Sequence, residues 1–167
     1  MRKVLIIDTS ILCVYLKVPH MDDCGSDNDK WDYGRVSQKI NEEIEQNSML
    51  VLPLATLIET GNHIAQASGE RYSSAEGLAE IIVKVATAEE PWAAFTFQNK
   101  LWNEENLLKL AKEWPQLAVT GLSIGDTTIK DVAEFYVEAG AVVEILTGDE
   151  GLKAYEPKLE IKPRRRR

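Results

Sequence analysis

The sequence predicts an α/β fold in which a mostly parallel sheet carries helices on both faces. Three short apolar runs support this prediction, because each has the length and composition of a strand buried on both faces. They lie at residues 3–8, 49–53 and 142–146. Segments with apolar residues at helical spacing separate these runs, and strands that alternate with helices are typical of parallel sheets.

The helices are predicted from apolar residues three and four positions apart, and from prolines and glycines where that pattern stops. Pro115 is expected to end the fifth helix, and Gly140 the sixth. Residues 20–32 are expected to form a polar, acid-rich loop, and a last short strand is expected near residues 159–161. The predicted helices span about residues 11–16, 33–46, 56–67, 75–88, 103–113 and 126–139, with a helical turn at 150–155.

Length and composition predict a single domain over residues 1–162 and a basic tail at 163–167. The net charge of −8 argues against a protein that holds nucleic acid by bulk positive charge, but not against an enzyme that reaches phosphates through metal ions. No apolar run is long enough to span a membrane, and the opening run ends at Asp8, too early for a signal peptide. The expectation is a cytoplasmic protein without membrane contact. Cys13 and Cys24 have neither a disulfide-framework nor a zinc-site spacing.

Two acidic residues lie at the carboxyl ends of predicted strands, at the edge of a parallel sheet where ligands bind. Asp8 ends the first strand, and Asp149 follows the strand Val142–Leu146 in the sequence Thr147-Gly148-Asp149. A lone aspartate at such a place is more often a helix cap or a turn residue. That explanation is weaker for two aspartates that meet at one edge.

Two further acids are candidates for the same edge. Asp126 lies three residues before Ile129 and so close to the apolar face of its helix, although a first-turn aspartate also suits the helix dipole. Glu59 follows the second strand, but the helical pattern places Ile58 on the buried stripe and Glu59 outside it. On periodicity alone Glu59 is a solvated residue, and its position after a strand is what makes it a candidate.

Carboxylates gathered at one edge repel each other, and a hard divalent cation removes that conflict. The predicted cofactor is therefore Mg²⁺ or Mn²⁺, as one or two ions, held by Asp8, Glu59, Asp126 and Asp149. Such a site can polarise a phosphodiester and activate water. Supporting contacts are expected from Ser10 and Thr147. Asn62, one helical turn beyond Glu59, is a further supporting candidate, although an exposed helix amide is its commoner role.

These residues, in this order, resemble the PIN-domain nucleases. The matching motifs are Asp8-Thr9-Ser10 at the end of the first strand, Glu59 in the helix after the second, Asp126 opening a later helix, and Thr147-Gly148-Asp149 after the following strand. The resemblance implies a three-layer α/β/α sandwich and metal-dependent cleavage of phosphodiester bonds, usually in RNA. It implies the four acids as both metal ligands and catalytic residues.

The resemblance also bears on partners. Many family members are the toxin half of a bacterial toxin–antitoxin pair, so it implies an RNA substrate, an antitoxin or other protein partner, and a homodimer. The acid-rich segment 22–32 departs from the compact toxins and leaves the partner open. The tail ends in four arginines, which either form a solvated terminus or contact phosphates: Arg164, Arg165, Arg166 and Arg167.

Two other functions fit part of the pattern. A haloacid-dehalogenase-like phosphatase would use Asp8 as nucleophile, and the segment from Gly125 to Asp131 resembles its metal motif, but Ser10 stands where that family usually carries a second aspartate. The helical pattern also turns Asp131 away from Asp126. The other alternative is a PIN-like scaffold that binds RNA or a partner without cutting it.

Overall fold

The computed structural model of the chain describes residues 1–160, and its centre is a sheet of three parallel strands. The strands are β1 (Lys3–Ile7), β4 (Met49–Val51) and β5 (Val142–Leu146), in the order β4-β1-β5. In the register, Val4 lies beside Met49 on one side and Val143 on the other. Helices flank this sheet, so the predicted α/β class is confirmed, and the arrangement is compatible with three layers.

Six α-helices longer than one turn surround the sheet in the described part of the chain. They are α1 (Thr9–Tyr15), α2 (Tyr33–Glu45), α3 (Leu54–Gln66), α4 (Arg71–Ala86), α5 (Glu104–Val119) and α6 (Ile124–Glu138), and a short α7 (Glu150–Lys153) follows β5. Side chains at several starts satisfy free backbone amides. Asp32 accepts from the amide of Arg35 at 2.8 Å, and Ser123 accepts from the amide of Asp126 at 3.0 Å.

The core lies on both faces of the sheet, because successive side chains of β1 point in opposite directions. Leu5 and Ile7 pack with apolar residues of α1, α2, α3 and α4. Val4 and Ile6 pack on the other face with residues of α6 and α7. The backbone groups of β1 are bonded on both sides, so Asp8 leaves the sheet from its most enclosed strand.

Two segments contain structure that the sequence reading did not predict. Residues 20–32 are not only a loop, because β2 (Asp23–Cys24) and β3 (Trp31–Asp32) pair there as a short antiparallel hairpin. Two-residue strands are too short to produce an alternating pattern. A 3-10 helix covers Phe95–Trp102. The buried Gln98 holds this helix in place, donating to the Leu52 carbonyl at 2.7 Å and accepting from the Leu54 amide at 3.2 Å.

The predicted end of the fifth helix at Pro115 is wrong, because α5 continues to Val119 with the proline inside it. Proline lacks the N–H that would bond the carbonyl four residues earlier, so it usually breaks a helix. No residue of α5 is fully buried, and on the surface water can bond the carbonyl that proline leaves free. The Trp114 indole also donates to the Leu122 carbonyl at 3.1 Å, which ties the last turns of α5 to the following loop.

The strand predicted near residues 159–161 is absent from its described part, since Leu159 and Glu160 have no regular structure. Two side chains of the described residues bond the edge of β5 that faces away from β1. Glu156 accepts from the Ile145 amide at 2.7 Å, and the Lys153 ammonium donates to the Ile145 carbonyl at 3.0 Å. Ile161 and the basic tail with Arg164 to Arg167 lie outside the described residues. No helix within residues 1–160 is long and apolar enough to cross a membrane.

A buried ionic network joins β1, α2 and β5 at the amino-terminal end of the sheet. Glu43, whose side chain is 4% exposed, contacts the ammonium groups of Lys3 and Lys39 and accepts from the Ser48 hydroxyl at 2.6 Å. Both lysines also contact Glu144, at 2.6 and 3.0 Å. Burial alone would raise the pKa of Glu43, but the hydrogen bonds from Lys3, Lys39 and Ser48 outweigh it and lower that pKa to about 2.

We predict that Glu43→Gln lowers the free energy of unfolding by about 3 kcal/mol at pH 7, since it leaves two lysines without their buried partner. Because the pKa of Glu43 is lower in the folded protein, its ionised form stabilises the fold above pH 4.5, and this stabilisation is lost as the pH falls toward 2. Urea unfolding from pH 2 to pH 8 measures the difference. The exposed Glu45→Gln on the same helix is the control, and an equal effect of both variants would contradict the prediction.

Candidate metal centre

Asp8 lies at the carboxyl end of β1 and is 5% exposed. Its backbone amide continues the ladder by donating to the Leu146 carbonyl at 3.0 Å. The hydroxyls of Ser10 and Thr147 both donate to Oδ2, at 2.9 and 2.7 Å, and no donor within residues 1–160 contacts Oδ1. The Asp8 side chain does not cap α1, so the helix-cap explanation fails for this aspartate.

Ser10 and Thr147 have the supporting positions predicted for them, and they also connect the two motifs. The Ser10 hydroxyl accepts from the Gly148 amide at 3.1 Å, and the Thr147 hydroxyl accepts from the Asp149 amide at 2.9 Å. Each hydroxyl therefore donates to Asp8 while it accepts from the turn that follows β5. This arrangement fixes the turn carrying Asp149 against the end of β1.

Asp149 is a helix cap as well as a site candidate. One oxygen, Oδ1, accepts from the amides of Gly151 and Leu152, at 2.8 and 3.4 Å. The turn before it is packed closely against the hairpin of β2 and β3. A Cβ built on Gly148 would lie 2.7 Å from the Gly25 nitrogen and 2.8 Å from the Cys24 sulfur, so a side chain at this position does not fit.

Glu59 reaches the acids from α3, on a face that the apolar pattern did not identify. The Thr9 hydroxyl donates to its Oε2 at 2.9 Å. The prediction that Ile58 is on the buried stripe is wrong, because Ile58 is 51% exposed while Glu59 is partly buried. The buried face of α3 is Thr56, Thr60 and Ile64, and two threonines give no apolar periodicity.

Asp126 lies in the first turn of α6, next to the apolar face formed by Ile129, Val132, Ala133 and Tyr136, as predicted. Partial burial is the main cause that raises its pKa, to about 6, and the negative charges of Asp8, Asp149 and Glu59 raise it further. A bond from Ser123 opposes this shift only in part. Asp126 is thus close enough to the other three acids to feel their charge.

The structure therefore brings the four predicted acids together at the carboxyl edge of the sheet, close enough that the charges of three of them raise the pKa of Asp126. The described residues contain no group of three or more His, Cys, Asp and Glu side chains already placed to hold a metal ion directly. The chemistry of the donors nevertheless fits a hard cation, since all four are carboxylates and the bond from Ser123 offsets the effect of burial and of the neighbouring charges on Asp126 only in part. Asn62, the weakest candidate, is exposed and makes no side-chain hydrogen bond within residues 1–160.

The sequence analysis assigned no role at the acid site to three residues that lie near it: Thr9, Gly125 and Cys24. Thr9 and Gly125 both contact Glu59. Cys24 lies against Gly148, and burial raises its pKa, with the charge of Asp8 adding to the shift. Burial also raises the pKa of Cys13, to about 11. Both thiols therefore stay protonated at neutral pH, which argues against a cysteine nucleophile at this site.

Comparisons of the chain with protein-family models, with curated proteins and with solved structures found no match. The class that fold and site define is an α/β protein with four carboxylates at the carboxyl edge of a parallel sheet.

We predict that Asp126→Asn raises the melting temperature at pH 8 in the presence of a chelator. The raised pKa means that folding favours the protonated form, so ionisation of Asp126 destabilises the protein as the pH rises from about 4 to 6. The gain in melting temperature should be about 2–4 °C for each kcal/mol of repulsion removed, and it should vanish near pH 4. Glu138→Gln, an exposed change on the same helix, is the control. A lower melting temperature for Asp126→Asn at pH 8 would refute this account.

Proposed function

We propose that the chain is a metal-dependent nuclease of the PIN-domain type that hydrolyses phosphodiester bonds, with single-stranded RNA as the expected substrate. One observation carries the proposal. Asp8, Glu59, Asp126 and Asp149 come from four separate segments of the chain, and all four share the carboxyl edge of one parallel sheet. Carboxylates that repel each other at a ligand-binding edge are expected where a cation neutralises them.

The four acids would hold one or two Mg²⁺ or Mn²⁺ ions, which would polarise the phosphodiester and make bound water more acidic. The residues of the chain have separable tasks in this proposal. Ser10 and Thr147 orient Asp8 by bonding only Oδ2, so that Oδ1 stays available. The amides of Gly151 and Leu152 orient Asp149 in the same way through one oxygen. Hydroxyls and amides that bind one oxygen of a carboxylate limit where the other oxygen can point.

The charge of the protein is consistent with this route to a phosphate. With a net charge of −8, the chain does not attract RNA by its bulk charge, so the cations would supply the main attraction at the site. The four arginines of the tail, Arg164 to Arg167, would add a local contact to the backbone. This combination predicts modest RNA affinity without divalent ions.

Two contacts count against the phosphatase alternative. Ser10, two residues after the proposed nucleophile, donates a hydrogen bond to Asp8 and is no second acid. Asp131 contacts the Lys130 ammonium at 3.3 Å, and it lines a different cavity together with Lys109, Phe135 and Glu138. The phosphatase motif would need Asp131 as a metal ligand next to Asp8, but Asp131 contacts Lys130 and faces a different cavity.

We predict that millimolar Mn²⁺ raises the melting temperature of the parent and leaves that of Asp8→Asn with Asp149→Asn unchanged. A ligand at a hundredfold excess over its Kd stabilises by about 2.7 kcal/mol, which is roughly 5–10 °C for a chain of this length. Asp131→Asn is the matched control. It removes from α6 a carboxylate that does not belong to the acid cluster of Asp8, Glu59, Asp126 and Asp149, so it should keep the Mn²⁺ shift. Absence of a shift in the parent would contradict the metal centre.

The same proteins then separate the candidate activities. A nuclease cuts end-labelled single-stranded RNA with Mn²⁺, stops in EDTA, and loses cutting in the double variant. A scaffold binds the RNA equally in parent and double variant and cuts in neither. A phosphatase forms an acylphosphate on Asp8, which no nuclease of the proposed type does.

A further inference from the structure

Glu59 is held from two sides by residues of two different helices. On one side, the Thr9 hydroxyl at the start of α1 donates to Oε2 at 2.9 Å. On the other side, the backbone of α6 passes so close that a Cβ built on Gly125 would lie 2.3 Å from Oε1 and 3.3 Å from Cδ. Real Cβ atoms do not approach other atoms this closely, so the carboxylate occupies the space that a side chain at position 125 would need.

We propose that Gly125 and Thr9 are the positioning residues that keep the Glu59 carboxylate in the acid cluster. The proposal rests on the proposed function, in which the four acids hold a metal ion. It assigns to Gly125 and Thr9 the separate task of holding one of these carboxylates in place. Gly125 leaves room for the carboxylate, and Thr9 binds it in that room. Neither residue needs to touch a metal or a substrate.

Neither backbone conformation nor helix stability explains why position 125 is a glycine. Gly125 is a helical residue without a positive φ, so an alanine could adopt its backbone geometry. Glycine is less favourable than alanine within a helix. The atom that an alanine would strike is the end of a flexible side chain, so the protein can fold if Glu59 moves away. A methyl group at position 125 therefore stabilises the helix but displaces the Glu59 carboxylate.

The test compares Gly125→Ala, Glu59→Asp and their combination, each titrated with Mn²⁺ by calorimetry and by thermal shift. Gly125→Ala should fold with an unchanged or higher melting temperature in EDTA and bind Mn²⁺ about tenfold or more weakly than the parent. Glu59→Asp shortens the side chain by one methylene, so it should weaken binding in the parent but strengthen it in the Gly125→Ala background. This reversal of sign is a rescue that a merely structural role of Gly125 does not produce.

Two further variants control the test. Gly61→Ala is a helical glycine whose added Cβ would meet only Leu78 at an ordinary 3.9 Å, so it should raise the melting temperature and leave Mn²⁺ affinity unchanged. Thr9→Val keeps the shape of the side chain and removes the hydroxyl, and it should weaken Mn²⁺ binding, whereas Thr9→Ser should not. The Thr9 pair also decides the matter if Gly125→Ala does not fold.

Parent affinity in both Gly125→Ala and Thr9→Val would overturn the proposal while leaving the metal centre intact. Absence of Mn²⁺ binding by the parent would instead count against the proposed function. In that case the melting temperatures in EDTA of the parent, Gly125→Ala, Glu59→Asp and the double variant still test the contact between Gly125 and Glu59. Non-additive effects of the changes at 125 and 59 support the contact, and additive effects overturn it.

Discussion

The architecture depends on the placement of β1 as the middle strand of a three-stranded parallel sheet. Its backbone is bonded to β4 on one side and β5 on the other, and its side chains enter both halves of the core. A carboxylate that follows such a strand is taken out of water by the fold itself. Asp8 is therefore expensive to bury, and the hydroxyls of Ser10 and Thr147 are the described groups that offset this cost.

The remaining acids are arranged around that buried charge by the turn after β5 and by helices that pack against the sheet. Asp149 is attached through the turn after β5, and Asp126 enters from α6 on one face of the sheet. Glu59 lies between two helices, with Thr9 of α1 on one side and Gly125 of α6 on the other. Burial raises the pKa of Asp126, and the negative charges of Asp8, Asp149 and Glu59 raise it further. The fold concentrates negative charge at one end of the sheet, while the Glu43 network neutralises charge at the opposite end.

The three strands of the parallel sheet, the approximate positions of the six α-helices and the placement of Asp8, Asp126 and Asp149 could be predicted from the sequence, because buried strands and amphipathic helices leave a regular apolar pattern. Glu59 shows where that pattern fails. Threonine hydroxyls form the buried face of α3, so periodicity selects Ile58, which is in fact exposed. Pro115 shows a second limit, since a surface helix tolerates a proline that a buried helix would not. The close contact between Gly125 and Glu59 joins residues 66 positions apart, and no local pattern records it.

The edge of β5 that faces away from β1, which no strand within residues 1–160 covers, has a consequence for how copies of the chain meet each other. An exposed strand edge presents unpaired amides and carbonyls on which a strand of another molecule can add. At Ile145 both groups are already bonded, the amide to Glu156 and the carbonyl to Lys153, and these two side chains also contact each other. A visiting strand would have to displace this ion pair before it could bond the backbone of Ile145. The sheet thus resists growth from one molecule into the next at the strand that bears the turn of Asp149.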